Sequence, residues 1–285
     1  MPLVRVLWLV TGLAVGVIPV AGSPPSQKDV LRRATAFAVR SADELPRLVA
    51  TETLVQELTT PTTAAGQSIS KFLTRRRIPT TRQSVAEFAW VAFSDEIDPI
   101  GFRDVVEVDG QPVAARTRLV DLLHGSGQGS WSQVRAILQE GARYNLSPGS
   151  RNFNLPTVVL FFLLPERVPR FSWKRRTEAN AAVWEVEFRE RERPSLIRQG
   201  DGQSAFSRGR VWVDVATGAI LRTELVLKFD PIVYTLTTTF ERVAAMDLIL
   251  PVALDERYTS PEETVTGRAT YSNYRRFQTG ARLVQ

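Results

Sequence analysis

The chain of 285 residues contains no cysteine, one histidine and two methionines. Without cysteine, an exported domain must fold without disulfides. A metal site would combine the single histidine, His124, with carboxylates, and a histidine-based triad would have one candidate base. His124 lies beside the glycine-rich run 125–129 rather than in a predicted strand or helix. We therefore expect no metal, no cofactor and no catalytic residue, and predict that the protein is not an enzyme.

Long apolar runs are also scarce. The run from Val6 to Val20 follows the positive charge of Arg5, and Val20 and Gly22 are small enough for a signal peptidase site. It is shorter than the roughly 20 residues of a spanning helix and is interrupted by glycine and proline. We predict a cleaved secretory signal peptide over residues 1–22, with an uncleaved anchor as the alternative. Residues 23–285 are then one domain, periplasmic or secreted.

Acidic residues are outnumbered, and the net charge is +6. Basic residues cluster at 71–77, 174–176 and 189–193. Predicted export and the lack of a recognition motif argue against nucleic acid as a partner. An anionic membrane surface is a physically reasonable partner for such clusters. An ordinary solvated face is the alternative, because glutamates are interleaved with the cluster at 189–193.

Alternating apolar and polar residues are abundant, above all from Gly209 to Phe277. Within 221–229 every second residue is apolar or a threonine, and the residues between them include charged ones. The same period of two fits 184–188, 234–240 and 252–258. This pattern is typical of an antiparallel sheet with one apolar face and one solvated face.

The N-terminal half adds further elements. Apolar residues at helical spacing predict an amphipathic helix over 29–48. Strands are predicted over 51–58, 85–93 and 101–108, and Asp109-Gly110 is a tight-turn signal after the last of these. Short helices are predicted over 116–123 and 132–144. Asp214 to Gly218 is predicted to be a hairpin turn in which Gly218 takes a positive φ.

The segment from Leu155 to Leu164 is apolar on all sides, so it must be buried whether it is a helix or a strand. Ten residues cannot span a bilayer. One interpretation is a central core element. The other is a helix in the mouth of an open, curved sheet, where Val158, Phe161 and Phe162 cover an apolar cavity.

Four stretches in the C-terminal part resemble a known family. Residues 209–214 read as a strand, 217–225 as a Thr-Gly turn and strand, 250–258 as a strand with a Leu-Pro entry, and 267–274 as a closing Tyr-Ser-Asn-Tyr strand. Together with the N-terminal helix and helices inserted after the third strand, they are similar to the LolA-like superfamily. That superfamily contains periplasmic lipoprotein carriers and related lipid-binding or stress-sensing domains.

The resemblance implies an α+β fold: a large curved antiparallel sheet, a half-barrel of about eleven strands, whose concave face is covered by the N-terminal helix and inserted helices. It also implies an apolar cavity for lipid or lipoprotein acyl chains, and it carries over no catalytic residues. The side chains expected to line this cavity are Trp184, Phe188, Leu225, Leu227, Tyr234, Leu236 and Phe240.

Two other interpretations remain open. In the first, the same sheet belongs to a protein-interaction or scaffold domain whose cavity is filled by its own side chains. In the second, the protein is a hydrolase in which strand pairing brings Asp104 close to Glu52 or Glu87. The single histidine and the absent cysteine leave few groups that could activate a nucleophile for such a reaction.

Overall fold

The structure is a computed structural model that describes residues 25–60, 80–91, 100–114, 139, 142–146, 154–176, 182–198 and 204–276. Within these ranges eleven strands form one antiparallel sheet. The strands are β1 Leu48–Thr59, β2 Thr81–Val91, β3 Ile100–Val108, β4 Gln111–Pro112, β5 Phe171–Arg175, β6 Val183–Glu190, β7 Arg208–Asp214, β8 Ile220–Phe229, β9 Ile232–Val243, β10 Leu248–Thr259 and β11 Thr264–Arg276.

The strand order is β4-β3-β2-β1-β11-β10-β9-β8-β7-β6-β5. The chain therefore forms two meanders that meet where β1 pairs with β11. Because β4 and β5 are the two edges and do not pair with each other, the sheet is open. This arrangement confirms the predicted α+β half-barrel.

Two α-helices have both ends in the described residues, α1 (Gln27–Glu44) and the short α2 (Val158–Phe162). Two 3₁₀ turns, Leu45–Arg47 and Val168–Arg170, lead into β1 and β5. Ser26 caps α1, since its hydroxyl oxygen accepts a hydrogen bond from the Asp29 amide at 3.2 Å. The helix predicted over 29–48 thus begins two residues earlier and ends at Glu44.

The N-terminal half of α1 is anchored on the half of the sheet that contains β5 to β8. The Gln27 side-chain amide bonds to the edge strand β5, donating to the Trp173 carbonyl at 2.9 Å and accepting from the Arg175 amide at 3.2 Å. One turn further along, Gly218 packs so tightly on α1 that a Cβ there would lie 2.4 Å from Arg33. Gly218 has φ +77°, as predicted for the turn after β7.

One face of the sheet is covered by α1 and α2 and carries the hydrophobic core. The period-two predictions for 184–188 and 234–240 are confirmed, and so is the part of 221–229 from Thr223 onward, because these residues lie on the covered face. The prediction for Leu221 is wrong: Leu221 is half-buried, and its neighbour Ile220 is fully buried instead. In β10 the alternation is interrupted by a bulge between Pro251 and Ala253, which leaves Val252 half-buried.

The other face is polar and held together by ion pairs across strands. Arg210 on β7 bridges two neighbouring strands, with its guanidinium 2.7 Å from Glu224 and 3.2 Å from Glu185. The hydrogen bond that Arg210 donates to Glu224, helped by the one it donates to Glu185, raises the pKa of Arg210. Interleaved basic and acidic residues on this face therefore neutralise one another rather than forming one basic surface.

Several predictions fall outside the described residues: the signal peptide over 1–22, the basic cluster at 71–77, the helix over 116–123, His124 with its glycine run, and most of the helix over 132–144. In the part of the chain that the structure describes, no helix combines the length and apolarity needed to cross a membrane. Across the same residues, no three histidine, cysteine or carboxylate side chains are grouped so that they could hold a metal ion.

Candidate functional site

The seven side chains predicted to line a cavity share the covered face in one apolar layer. Their exposed fractions lie between 0% and 8%. They belong to a single core cluster with α1 and α2: Trp184, Phe188, Leu225, Leu227, Tyr234, Leu236 and Phe240. Trp184 is shielded at the edge of the sheet by Arg175, whose guanidinium carbon lies 3.8 Å from the centre of its ring.

The segment predicted to cover the cavity is helix α2, and it lies against this layer. Phe161 and Phe162 are buried, whereas Val158 is half-buried. The Phe162 ring stacks on Phe171 at 4.9 Å and meets Phe188 edge-on at 5.8 Å. The structure therefore shows a helix, rather than a strand, in this segment, and places it in contact with both α1 and strand β8.

A five-residue helix has little stability of its own. Isolated helices shorter than about 12 residues are marginal in water, so α2 depends on its packing. Its N-cap residue, Thr157, makes no capping hydrogen bond. Instead the Thr157 hydroxyl accepts a hydrogen bond from the Trp90 indole at 2.9 Å, which fixes the start of α2 to strand β2.

A groove of about 230 Å³ opens to solvent where the end of α1 meets the start of β10. Its floor is apolar and consists of Phe37, Leu45, Leu248, Ile249 and Leu250. Its rim is polar, with Arg40, Ser41, Asp43 and Glu44. Phe37, Leu45 and Leu250 belong to the same core cluster as the seven predicted residues, so the groove is a solvent-facing edge of the apolar layer.

The other half of the covered face contains a buried polar cluster that the sequence analysis did not identify. Its centre is a row across three strands, formed by Gln56, Gly267 and Glu256. The Gln56 amide donates to Glu256 Oε1 at 2.8 Å. A Cβ on Gly267 would lie 2.5 Å from that oxygen. Because glycine has no side chain, it leaves space for the hydrogen bond between Gln56 and Glu256. Tyr258 donates a short hydrogen bond to the same carboxylate.

Arg103 and Glu52 form a buried ion pair beside this row. Arg103 Nε donates to Glu52 Oε1 at 2.6 Å, and its guanidinium lies 4.9 Å from the centre of the Phe88 ring. Arg103 also donates to the Asn154 side chain at 3.2 Å and to the Asn154 carbonyl at 3.1 Å. Burial alone would lower the pKa of Arg103, but Glu52, Tyr271 and Glu256 together outweigh burial and raise it. Arg103 is therefore a permanent cation inside the protein.

Two tyrosines next to this ion pair stay neutral over a wide pH range. Burial raises the pKa of Tyr271 well above its ordinary value, and the nearby Glu52 carboxylate raises it further. Burial and Glu52 likewise raise the pKa of Tyr274, whose hydroxyl donates to the Pro251 carbonyl at 2.5 Å. The Tyr271 hydroxyl and Glu52 Oε2 are both buried, and neither makes a hydrogen bond of normal geometry.

The polar cluster also holds the segment that leads into α2. Asn154 bonds to Arg103 on one side and donates to Glu256 Oε2 at 3.1 Å on the other. Gln56 accepts a hydrogen bond from the Leu146 amide at 2.9 Å. The covered face thus has an apolar half under α2 and a polar half under residues 145–146 and 154–157.

The carboxylates considered for a hydrolase are not assembled into one site. Glu52 lies on the covered face and pairs with Arg103. Asp104 is opposite Glu87 in the β2–β3 register, on the other face of the sheet, where Glu87 pairs with the exposed Arg275. Strand pairing therefore brings Asp104 opposite Glu87, one of the two expected partners, and leaves Glu52, the other, on the opposite face.

Comparison with known proteins gives a similarity of fold. No family model and no curated protein matches the sequence. A candidate outer membrane lipoprotein-sorting protein domain from Vibrio parahaemolyticus is 12% identical over 89% of this chain and 94% of that chain, with a TM-score of 0.40. A DUF1329 family protein from Desulfovibrio piger is 14% identical over 89% of this chain and 95% of that chain, with a TM-score of 0.39.

The open eleven-stranded sheet and the helix packed on its covered face, both described above, are the features that the sequence resemblance implied. The similarity to the two solved structures concerns the fold alone, and nothing about ligand, partner or activity follows from it.

Proposed function

We propose that this chain is an exported envelope protein that binds a lipid or an acylated ligand, as a carrier or a sensor, in the apolar layer between the sheet and α2. The observation that carries the proposal is the small size of the helix, α2, that covers the apolar layer. Seven apolar residues from β6, β8 and β9 form a continuous apolar layer, and over this layer lies a helix of five residues whose N-terminus is uncapped. Such a cover can shift without unfolding the sheet.

The free energy gained by burying a ligand and the free energy lost by displacing α2 are of similar size. A ligand that buries about ten methylenes gains roughly 8 kcal/mol. Moving the four buried side chains of α2 fully into water costs about 1.5–3 kcal/mol each. The total cost of about 6–12 kcal/mol is comparable to the gain, so ligand binding offsets the displacement with a margin when α2 keeps part of its contacts, for example by packing on the bound acyl chain. We expect α2 to slide rather than to unfold.

The groove beside α1 is the proposed point of entry. Its floor continues into the core cluster, and its volume of about 230 Å³ accommodates part of a chain. Pockets that enclose whole small ligands usually measure about 300–1,000 Å³, so a complete acyl chain requires the layer to open. The charged rim at Arg40, Asp43 and Glu44 suits the polar end of an amphipathic ligand.

A protein-interaction or scaffold domain is the second candidate, and one observation favours it. The seven predicted side chains are at most 8% exposed and already packed by α1, α2 and one another. A layer filled in this way needs no ligand for its stability. In this case the function would lie on the outer surface of the molecule.

The experiment that separates the two is native mass spectrometry, with solvent extraction, of the protein purified from its own envelope fraction. A bound phospholipid, fatty acid or acylated peptide of defined mass supports lipid binding and identifies the ligand class. A ligand-free mass that does not change after incubation with lipid vesicles would overturn the proposal in favour of the scaffold domain.

A further inference from the structure

The connection between β6 and β7 is organised by a buried carboxylate. Glu190, the last residue of β6, accepts hydrogen bonds from the Leu196 amide at 2.7 Å and the Ser207 amide at 3.1 Å. The Ser195 hydroxyl lies 2.8 Å from the same carboxylate. Arg198 and Ser204 then pair as an antiparallel bridge. These bonds give the described residues on both sides of the turn a defined shape.

The arginines of this connection lack acidic partners. The interleaved glutamates are already engaged: Glu187 pairs with Arg189 at 2.7 Å, and Glu192 pairs with Arg170 at 3.5 Å. Among the described residues, no carboxylate lies within ion-pair distance of the exposed arginines of the connection, which are Arg191, Arg193, Arg198 and Arg208. Arg208 is directly opposite Arg189 in the pairing of β6 with β7. Two like charges in this arrangement repel each other.

An exposed aromatic ring lies among these charges. Phe206 is 38% exposed, which makes it the largest exposed apolar side chain in the described residues. Burial alternates around it, with Ala205 and Ser207 inside and Phe206 and Arg208 outside. The Arg193 guanidinium lies 5.1 Å from the centre of the Phe206 ring. Apolar and cationic groups therefore share one surface.

We propose that Arg191, Arg193, Arg198, Arg208 and Phe206 form a docking surface for membranes that contain anionic lipids. The arginines would meet lipid phosphates, and Phe206 would enter the boundary between head groups and acyl chains. Residues just before β5 connect this surface to the cover of the apolar layer, because Arg170 donates a hydrogen bond to the Pro194 carbonyl. The proposal does not depend on ligand binding in the apolar layer.

The geometry favours a lipid surface over nucleic acid. The charges are confined to the ends of two strands and the connection between them, which is a short footprint for a nucleic acid backbone. One face of the Phe206 ring is already occupied by Arg193, which leaves less surface for a stacked base. A flat anionic surface can meet all five side chains at one end of the molecule.

Sedimentation of the purified chain with vesicles tests the proposal. Phosphatidylcholine vesicles with and without phosphatidylglycerol are compared at low and high salt, so that only binding that depends on anionic lipid is counted. The loop variant is Arg193→Gln/Arg208→Gln. The matched control is Lys28→Gln/Arg257→Gln, which removes the same charge from exposed positions away from the connection.

Each removed arginine should weaken the partition onto anionic vesicles about fivefold, so the loop variant should lose about 25-fold and the control far less. Phe206→Ala should weaken binding while preserving its salt dependence. High salt should release the wild-type protein. Equal losses in the two double variants, no preference of the wild type for anionic vesicles, or binding to single-stranded DNA without binding to vesicles would each overturn the proposal. Binding of a fluorescent fatty acid in vesicle-free solution should be the same in the loop variant and the wild type.

Discussion

Gln56 and Glu256 are 200 residues apart in the sequence, yet the Gln56 amide donates to the Glu256 carboxylate at 2.8 Å inside the protein. Gly267 lies between them on β11 and leaves the space that this bond needs. The bond joins the first strand of the chain to its last two. It thereby ties the two meanders of the sheet together on the covered face, where water cannot replace a lost partner.

Gly267→Ala tests this relationship. The new Cβ would lie 2.5 Å from Glu256 Oε1 and push the carboxylate away from Gln56. We expect a loss of about 1–3 kcal/mol in the free energy of unfolding, measured by urea denaturation. Thr270→Ala, on the exposed face of the same strand, is the control. Equal free energies of unfolding for the two variants would show that a Cβ fits at position 267 and would contradict the close packing of Gln56, Gly267 and Glu256.

The Glu52–Arg103 ion pair should behave as a coupled unit. Arg103→Met leaves a buried carboxylate without its cation, and we expect it to cost about 3–5 kcal/mol. Glu52→Gln in the same chain removes that charge and should restore part of the loss. A double-mutant cycle by urea denaturation measures the coupling. Additive effects would contradict the pairing.

Alkaline pH should destabilise the protein through Tyr271 and Tyr274. Both have pKa values raised above the ordinary value of 10.0 in the folded state, so unfolding lets them release a proton. Their contribution to stability is fully present below the unfolded pKa and is lost as the pH rises above it, by about 1.4 kcal/mol per pH unit for each tyrosine.

The check is urea denaturation at several pH values from neutral to alkaline. Tyr271→Phe removes a hydroxyl that makes no hydrogen bond of normal geometry, so its stability at neutral pH should stay close to that of the wild type. Its stability should fall less steeply at alkaline pH. Parallel curves for the two proteins would contradict a buried, neutral Tyr271.

A bulky residue at the groove should block ligand entry. Ser41 lies on the rim beside the apolar floor, so Ser41→Trp fills the opening without removing a core side chain. We expect at least a tenfold loss of affinity for a fluorescent fatty acid, about 1.4 kcal/mol. Ala36→Trp, on the exposed side of α1, should bind normally. Unchanged binding in Ser41→Trp would place the entry elsewhere.

Glu190 should determine the shape of the β6–β7 connection. Glu190→Gln replaces an acceptor of two amide hydrogen bonds with a group that itself donates, so at least one bond is lost. We expect a cost of about 1–3 kcal/mol and faster tryptic cleavage after Arg191 and Arg198. Glu192→Gln, at an exposed position, is the matched control. Equal cleavage rates in the two variants would contradict the role of Glu190.

Much of the fold could be predicted because its signals are local. Alternation in β6, β8 and β9 assigned residues to the covered face, and Asp109-Gly110 and Gly218 adopted the positive φ angles that their turns require. The apolar segment before β5 was predicted to be buried, since a helix or strand without a polar face has no other place. Whether it is a helix or a strand depends on its packing against Phe171 and Phe188. These tertiary contacts cannot be read from the sequence.

The buried polar cluster is marked in the sequence by polar residues at buried positions of β1 and β10. In β1 the buried positions run Leu48, Ala50, Glu52, Leu54, Gln56 and Leu58, so two polar residues occupy the apolar phase. Glu256 does the same between Leu254 and Tyr258 in β10. A polar residue in the buried phase needs a partner, because an unpaired buried polar group is costly. The identity of that partner cannot be read from alternation.

By itself, the sequence determined which residues face the core and where the strands turn, because both depend on a period of two and on local backbone conformation. Only the tertiary structure decided which strands are neighbours. The pairing of β1 with β11 and of β11 with β10 brings Glu52, Gln56 and Glu256 onto one buried surface. Hydrogen bonds and ion pairs act over a few ångströms, so these contacts exist only once distant strands have been placed side by side.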